Sequence, residues 1–328
     1  MTETDRVTAL IECQQRAVFS SSPPSIDERR DRLDRVRRLL ARNADALAEA
    51  MDADFGGRDA TFSKMNDVLA CAMSLEATAK GLAKWARPSR RSTTIPFSLF
   101  GARSEVTYGP RGVIGIIGSW NAPLYTLIAP LSSVLAAGNR AILKPSEFVP
   151  ATGNLLARLV AEEFAPAELA VVTGGAETAQ ALAGGPVDLI VFTGGAETGR
   201  KVMITAAQRL TPVILELGGK SPVILSRSAN LVEAAHRIAL GKGANSGQLC
   251  IAPDTIHVPR EQVEPFCREL LAQYETHFGA MGFTAALVNE RHRHRFDSLL
   301  EDAERHGAQV RRLSAATDGT RRMPFTVV

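Results

Sequence analysis

The chain has 328 residues, 45% hydrophobic and 22% charged, which suits a globular protein long enough for two domains and a core that needs no disulfide or metal staple. Its formal net charge is only +3, with bases interleaved among acids, which argues against a nucleic-acid partner. Four cysteines without C-x-x-C or zinc-ligand spacing, a polar opening (MTETDRVTALIECQQR) and no membrane-length apolar run argue against a disulfide scaffold, a metal module, a signal peptide and a membrane span, and so for reduced thiols in the cytoplasm.

In chain order, residues 26–54 read as a helix capped by Asp27, with Leu33, Val36, Leu40, Leu47 and Met51 at helical spacing and Phe55-Gly56-Gly57 as its stop. The arginines at 29–38 alternate with Asp27, Glu28, Asp31 and Asp34 and read as a solvated face. A second helix is expected from Lys64 to Trp85. Residues 87–108, around IPFSLF and the alternating SEVTY, read as an extended arm or hairpin. From Gly112 the chain alternates: GVIGIIGS strand, 123–137 helix, RAILKPS strand, 151–164 helix, LAVVTG strand, ETAQALAG helix, DLIVFTG strand, ETGRKVMITAAQR helix, then strands PVILELGG and PVILS. Apolar strands alternating with helices imply a parallel sheet covered on both faces. A helix at 230–244, the Cys250 segment, a strand at 255–258, helices at 261–276 and 289–306, a short strand at 308–313 and a strand start in PFTVV complete the α/β pattern. VTGGAET at 172–178 and FTGGAET at 192–198 echo one another without making a repeat architecture.

Phosphate cradles need glycine for close backbone approach and a helix N-terminus to present N–H groups. The G-x-G-x-x-G fingerprint and a Walker A motif are absent; FTGGAETG, Phe192 to Gly199, follows a strand and opens a helix, which is either such a cradle or an ordinary tight turn. Cys250, in GANSGQLCIAPD with Lys242 nearby, is either a small core residue or a thiol in a polar loop suited to reaction. Glu216, at the end of VILELGGK, is either an exposed strand-end residue or a general base whose pKa burial would raise. Asn121 is a turn or cap residue, or a donor to a developing oxyanion. His292 and His294 in RHRHR read as solvated surface, and no metal site is expected.

Together GPRGVIGIIGSWNAPL, AAGNRAILKPSE, FTGGAETGR, LTPVILELGGKSPVIL and GQLCIAPD resemble the aldehyde dehydrogenase superfamily, in the family's order from about residue 26 onward, and most closely its class 3-type branch and the coniferyl type within it. The resemblance implies a Rossmann-like domain for NAD or NADP over 1–217, with the arm, and an incomplete α/β catalytic domain over 218–328. It implies Cys250 as nucleophile, Glu216 as general base and Asn121 as oxyanion donor. Trp120, Lys144, Glu147, Phe192, Thr193, Gly194, Gly195, Gly199 and Leu217 would hold the cofactor, Lys144 and Glu147 at the adenosine ribose. Two departures, Gly195 in place of Ser or Asn and Ser119 in place of Pro, look tolerable. The family pattern continues beyond this chain with a Glu-x-Phe-Gly-Pro segment that binds the nicotinamide ribose, and with a strand used in homodimers. Without them, apolar sheet surface should stand uncovered and turnover is in question. The expected function is NAD(P)-dependent oxidation of an aldehyde to a carboxylic acid through a cysteine thioester; the alternative is a nucleotide-binding or interaction protein without catalysis.

Overall fold

The computed structural model describes residues 2–279, 285–313 and 321–328. Helix α1 (Glu3–Ser20) opens in a capping box in which Thr2 and Asp5 exchange hydrogen bonds. The sequence reading has no counterpart for it: its fully buried apolar stripe is only Val7 and Ile11, and Gln14, also buried, donates to the carbonyls of Ala141 and Pro166. The helix expected over 26–54 is two, α2 (Ile26–Arg42) and α3 (Ala44–Phe55). They break at Asn43, whose side chain donates to Leu39 O, and Ser25 rather than Asp27 caps α2 in a second capping box with Glu28. After the short α4 (Ala60–Ser63), the second expected helix carries a π-helical turn at Lys64–Leu69 and then runs as α5 (Ala70–Trp85). The arm is a hairpin of β1 (Ser89–Arg91) and β2 (Ser104–Val106), with Phe97, Leu99 and Phe100 exposed at its tip.

The α/β run is β3 (Val113–Ile117), α6 (Tyr125–Ala136), β4 (Arg140–Lys144), α7 (Pro150–Glu163), β5 (Leu169–Val171), α8 (Ala176–Gly184), β6 (Leu189–Gly194), α9 (Ala196–Ala207) and β7 (Val213–Leu217). Its five strands are parallel, in the order β5-β4-β3-β6-β7. Alternate residues of β3 feed opposite faces. Ile114 and Ile116 join Leu33, Leu40, Leu75, Leu131 and Leu143 in one core, while Val113 and Ile117 join Ile11, Ile142, Leu182 and Val202 in the other. The expected two-sided cover holds for the central strands and fails at β7, an edge strand whose Ile214 and Leu217 are 49% and 38% exposed.

Beyond Leu217 come β8 (Ser221–Ile224), α10 (Leu231–Gly243), β9 (Pro253–His257), α11 (Val263–Tyr274), α12 (Glu290–Arg305), β10 (Arg311–Arg312) and β11 (Thr326–Val327). Strands β8 and β9 form a two-stranded parallel sheet, and β10 pairs antiparallel with β11. A small core of Ala235, Ile238, Phe266, Leu270, Tyr274 and Phe278 lies between α10 and α11, and Phe325 stacks on Tyr274 with ring centroids 4.0 Å apart. Ile224, on β8, is 79% exposed. No helix among the described residues is long and apolar enough to cross a membrane.

Candidate active site

Strands β3, β4 and β5 run outward in one direction from the sheet centre, and β6 and β7 in the other, so the connection reverses between β3 and β6. At such a reversal the loops leaving two neighbouring strands diverge and open a crevice at their carboxyl ends. A groove of about 470 Å³ lies there. It is lined by Ile117 to Trp120 after β3, by Lys144 and Ser146 to Phe148 after β4, and by Phe192 to Gly195 at the end of β6. The remaining wall comes from α8 and α9, the helices that follow the echoed GGAET turns; Gln180, Thr198 and Lys201 on them are lining residues that the sequence reading did not single out.

Of the expected cofactor residues, Trp120, Lys144, Glu147, Phe192, Thr193, Gly194 and Gly195 line this groove; Gly199 and Leu217 do not. Gly199 is a packing glycine: a Cβ there would come within 2.8 Å of the Leu217 side chain, so α9 sits tightly on β7. Lys144 is fully buried, and its ammonium donates to Glu147 Oε2 at 2.7 Å. Burial pushes the Glu147 carboxyl up, but the Lys144 hydrogen bond, its own backbone and the Lys144 charge together hold it below the usual range. Gly195 is the N-cap of α9 and has no side chain with which to cap it, so the first N–H groups of the helix face the groove's glycine turn without a side-chain acceptor from the cap. A Cβ at Gly195 would meet nothing within 4 Å; that space belongs to the groove.

Of the three expected catalytic residues, Asn121 and Cys250 sit on loops and Glu216 near the end of a strand, and the three segments converge. Glu216 is the penultimate residue of β7, directly opposite Thr193 of β6. Parallel pairing of Ser221 with Pro253 brings the loops preceding β8 and β9 side by side, and a Cβ at Gly219 would lie 2.6 Å from the Cys250 carbonyl oxygen. Only glycine lets the Glu216–Gly219 loop approach the Cys250 backbone this closely. The Asn121 side-chain amide donates to Gln248 O at 2.9 Å, and the Asn245 amide donates back to Asn121 O at 2.9 Å. Asn245 and Gln248 form a clamp the sequence reading missed. Gln248 Nε2 also donates to Asn245 O and Ala286 O. The clamp needs three successive left-handed residues, Asn245 (φ 51°), Ser246 (φ 53°) and Gly247 (φ 72°). Glycine takes that conformation freely and asparagine tolerates it, while Ser246 costs roughly 1 kcal/mol and is held by a hydrogen bond to Ala285 O at 2.6 Å.

Glu216 is exposed, because β7 is an edge strand, which is the first of its two sequence readings. One expectation is corrected. His292 is not solvated surface: its ring packs on Trp120 (centroids 4.9 Å) and Phe148 (6.0 Å), and its Nδ1 lies 2.8 Å from Asn289 Oδ1. His294 is exposed, as expected. Cys250 is an exposed free thiol. Next to its loop, Asp254 is raised by burial but brought below its usual range by the Lys220 and Lys242 ammoniums, at 2.5 and 3.6 Å. No cluster of three potential metal ligands occurs among the described residues.

A profile of the aldehyde dehydrogenase family matches residues 2–322. The chain is 39% identical over 328 residues to a protein of Caulobacter vibrioides described as "Probable coniferyl aldehyde dehydrogenase", covering 97% of this chain and 68% of that one. It is 35% identical over 318 residues to coniferyl aldehyde dehydrogenase of a Pseudomonas species, covering 96% and 65%. Among solved structures, a substrate-bound Staphylococcus aureus AldH superposes with a TM-score of 0.86 at 30% identity, covering 90% of this chain and 65% of that one. A Mycobacterium tuberculosis aldehyde dehydrogenase complexed with NAD+ gives 0.86 at 27% identity, covering 97% and 66%. The chain thus spans about two thirds of the length of the relatives it matches.

Proposed function

The chain belongs to the aldehyde dehydrogenase family, and on that premise we propose that it oxidises an aldehyde to a carboxylic acid through a covalent step at Cys250. The observation that carries this reading is the convergence of three loops: Asn121 hydrogen-bonded to the turn before Cys250, and the Glu216–Gly219 loop packed on the Cys250 carbonyl. The Cys250 thiolate attacks the aldehyde carbon, forming a carbon–sulfur bond, and the aldehyde oxygen becomes an oxyanion. Asn121 has a second amide hydrogen for that oxyanion, and the Cys250 backbone N–H is its partner donor. NAD or NADP in the groove would supply the hydride acceptor. With the aldehyde hydrogen gone, Cys250 carries a thioester. Glu216 takes a proton from water, the hydroxide attacks the thioester carbon, and the acid leaves with the thiolate restored.

Lys144 and Glu147 would hold the adenosine ribose, and the N-terminus of α9 the pyrophosphate; the buried Lys144 and the space at Gly195 fit those groups. The coniferyl relatives support an aromatic aldehyde as substrate, and the free cysteines support a reducing, cytoplasmic setting. A domain boundary at 217/218 places the cofactor groove before it and Cys250 after it. The test is aldehyde-dependent reduction of NAD+ by the chain, together with its loss in Cys250→Ala. A chain that binds NAD+ but reduces none with aromatic or aliphatic aldehydes sinks the reading. It would leave the alternative of nucleotide binding without turnover, which the open setting of Cys250, Glu216 and Ile251 (77% exposed) favours.

A further inference from the structure

We propose that Asp67, neutralised by Arg58 in the protein interior, is the positioning residue for Asn121; the proposal rests on Asn121 acting as the oxyanion donor. Helix α6 lacks a cap of its own, since Leu124 stands at its N-cap and offers no side-chain acceptor. The first N–H groups of a helix still need acceptors when buried. Those of Leu124 and Tyr125 donate to Asp67 Oδ1, at 3.1 and 3.2 Å. The other carboxylate oxygen accepts from Arg58 at 2.7 Å and from Asn66 Nδ2 at 3.1 Å. Both charged side chains are completely buried.

The arrangement is a poor way to gain stability. A buried ion pair often does no better than apolar residues of the same volume, because both charges lose their water. Arg58 bears this out: its guanidinium lies over Phe55 and Phe62 at 4.8 and 5.2 Å, and its Nε has no hydrogen-bond partner among the described residues. What the pair does achieve is placement. Asp67 stands in the π-helical turn at Lys64–Leu69, a widened turn of the kind that recurs at functional sites. It fixes the loop three residues after Asn121. On the other side of Asn121, the Thr126 hydroxyl accepts from Ser119 N and donates to Ala122 O, both at 3.0 Å. Asn121 is therefore held from both flanks before the Asn245 clamp reaches it. A helix dipole aimed at Asp67 and an arginine behind it make the carboxylate a rigid anchor.

Two double variants separate anchoring from folding. Arg58→Met with Asp67→Asn removes the charges and keeps an acceptor oxygen; Arg58→Met with Asp67→Leu removes the acceptor as well. Amide exchange of residues 118–126, aldehyde oxidation and the rate of Cys250 alkylation by iodoacetamide are measured for each. The Asn variant should keep slow exchange and a kcat within about threefold of the parent. The Leu variant should exchange at Leu124 and Tyr125 faster by about tenfold or more, and lose about tenfold or more in kcat, since small misplacements of a reacting group are costly. Its KM and Cys250 alkylation rate should stay within about twofold, while its melting temperature falls below that of the Asn variant because two buried N–H groups lose their acceptor. Equal behaviour of the two variants, or a kcat loss matched by an equal loss in the Cys250 alkylation rate, overturns the proposal. If the parent chain oxidises no aldehyde, the enzymatic reading fails on its own, and the exchange comparison still decides whether Asp67 anchors the loop.

Discussion

The two parallel sheets among the described residues answer the same problem differently. Strands β3, β4 and β6 are buried on both faces, between α2, α5, α6 and α7 on one side and α1, α8 and α9 on the other. Strands β8 and β9 alternate between half-buried and exposed, with α10 and α11 packed on one face and Ile224 open on the other. The groove proposed for the cofactor is built on the first sheet, and the proposed nucleophile, Cys250, stands just before β9 of the second. Burial is thus concentrated around the groove, and the Cys250 thiol stands in a more open setting. The sheets meet through β7 and the Glu216–Gly219 loop, and across the Asn121–Asn245–Gln248 clamp.

The largest effect expected from this division is chemical. Cys250→Ala should reduce aldehyde oxidation to background while leaving the affinity for NAD+ within about twofold, measured by steady-state kinetics and by titration of the bound dinucleotide. If cofactor affinity collapses with the thiol, the two regions are not separable. The next effect is on stability. Leu143→Ala, in the fully buried β4, should cost about 3 kcal/mol in denaturant unfolding, whereas Ile224→Ala should cost about 0.5 kcal/mol or less. Comparable losses at the two positions would mean that Ile224 is covered in solution.

The first sheet was largely legible in the sequence because burial on both faces leaves uninterrupted apolar runs such as GVIGII and AILK, and their carboxyl ends mark where a groove must open. Cys250, Glu216 and Asn121 could be picked out from glycine-rich strand ends, and family likeness assigned their roles. What stayed hidden has one physical cause: partnership across long sequence separations. Asp67 looks like an ordinary solvated charge in a helix and Arg58 like one in the loop before it, and only the fold buries them together. Asn245 and Gln248 read as loop residues until Asn121, more than a hundred positions earlier, meets them. The apolar run before Glu216 left its burial open, because a strand's composition does not reveal that it lies at an edge. The apolar stripe of α1 was too narrow to compete with its polar residues.

A smaller effect separates the groove from the thiol. Lys144→Met removes a buried ammonium and leaves Glu147 unpartnered by it; losing one charge-assisted hydrogen bond should weaken dinucleotide binding by about tenfold to a hundredfold. The alkylation rate of Cys250 without cofactor should not change. A parallel drop in that rate would show the groove and the thiol loop to be one mechanical unit.

The smallest effect concerns a helix that crosses the division. Helix α12 follows the second sheet in the chain, yet its His292 packs against Trp120 and Phe148 of the groove. Burial first, then the neighbouring Arg291 and Arg295, lower the His292 pKa. The undocked helix would titrate near the ordinary value of about 6.5. Below that pH the undocked form binds the proton more readily than the docked form, so the contact is at full strength above about 6.5 and weakens as pH falls through the depressed docked value. Trp120 reports on it directly, while Trp85, 58% exposed, supplies a nearly constant background. Acidification from neutral pH should therefore shift the tryptophan emission at a midpoint below about 6.5, and His292→Phe, which keeps an aromatic ring on Trp120 but cannot be protonated, should abolish that shift. An unchanged midpoint in His292→Phe would place the acid-sensitive contact elsewhere and leave α12 joined to the groove by packing alone.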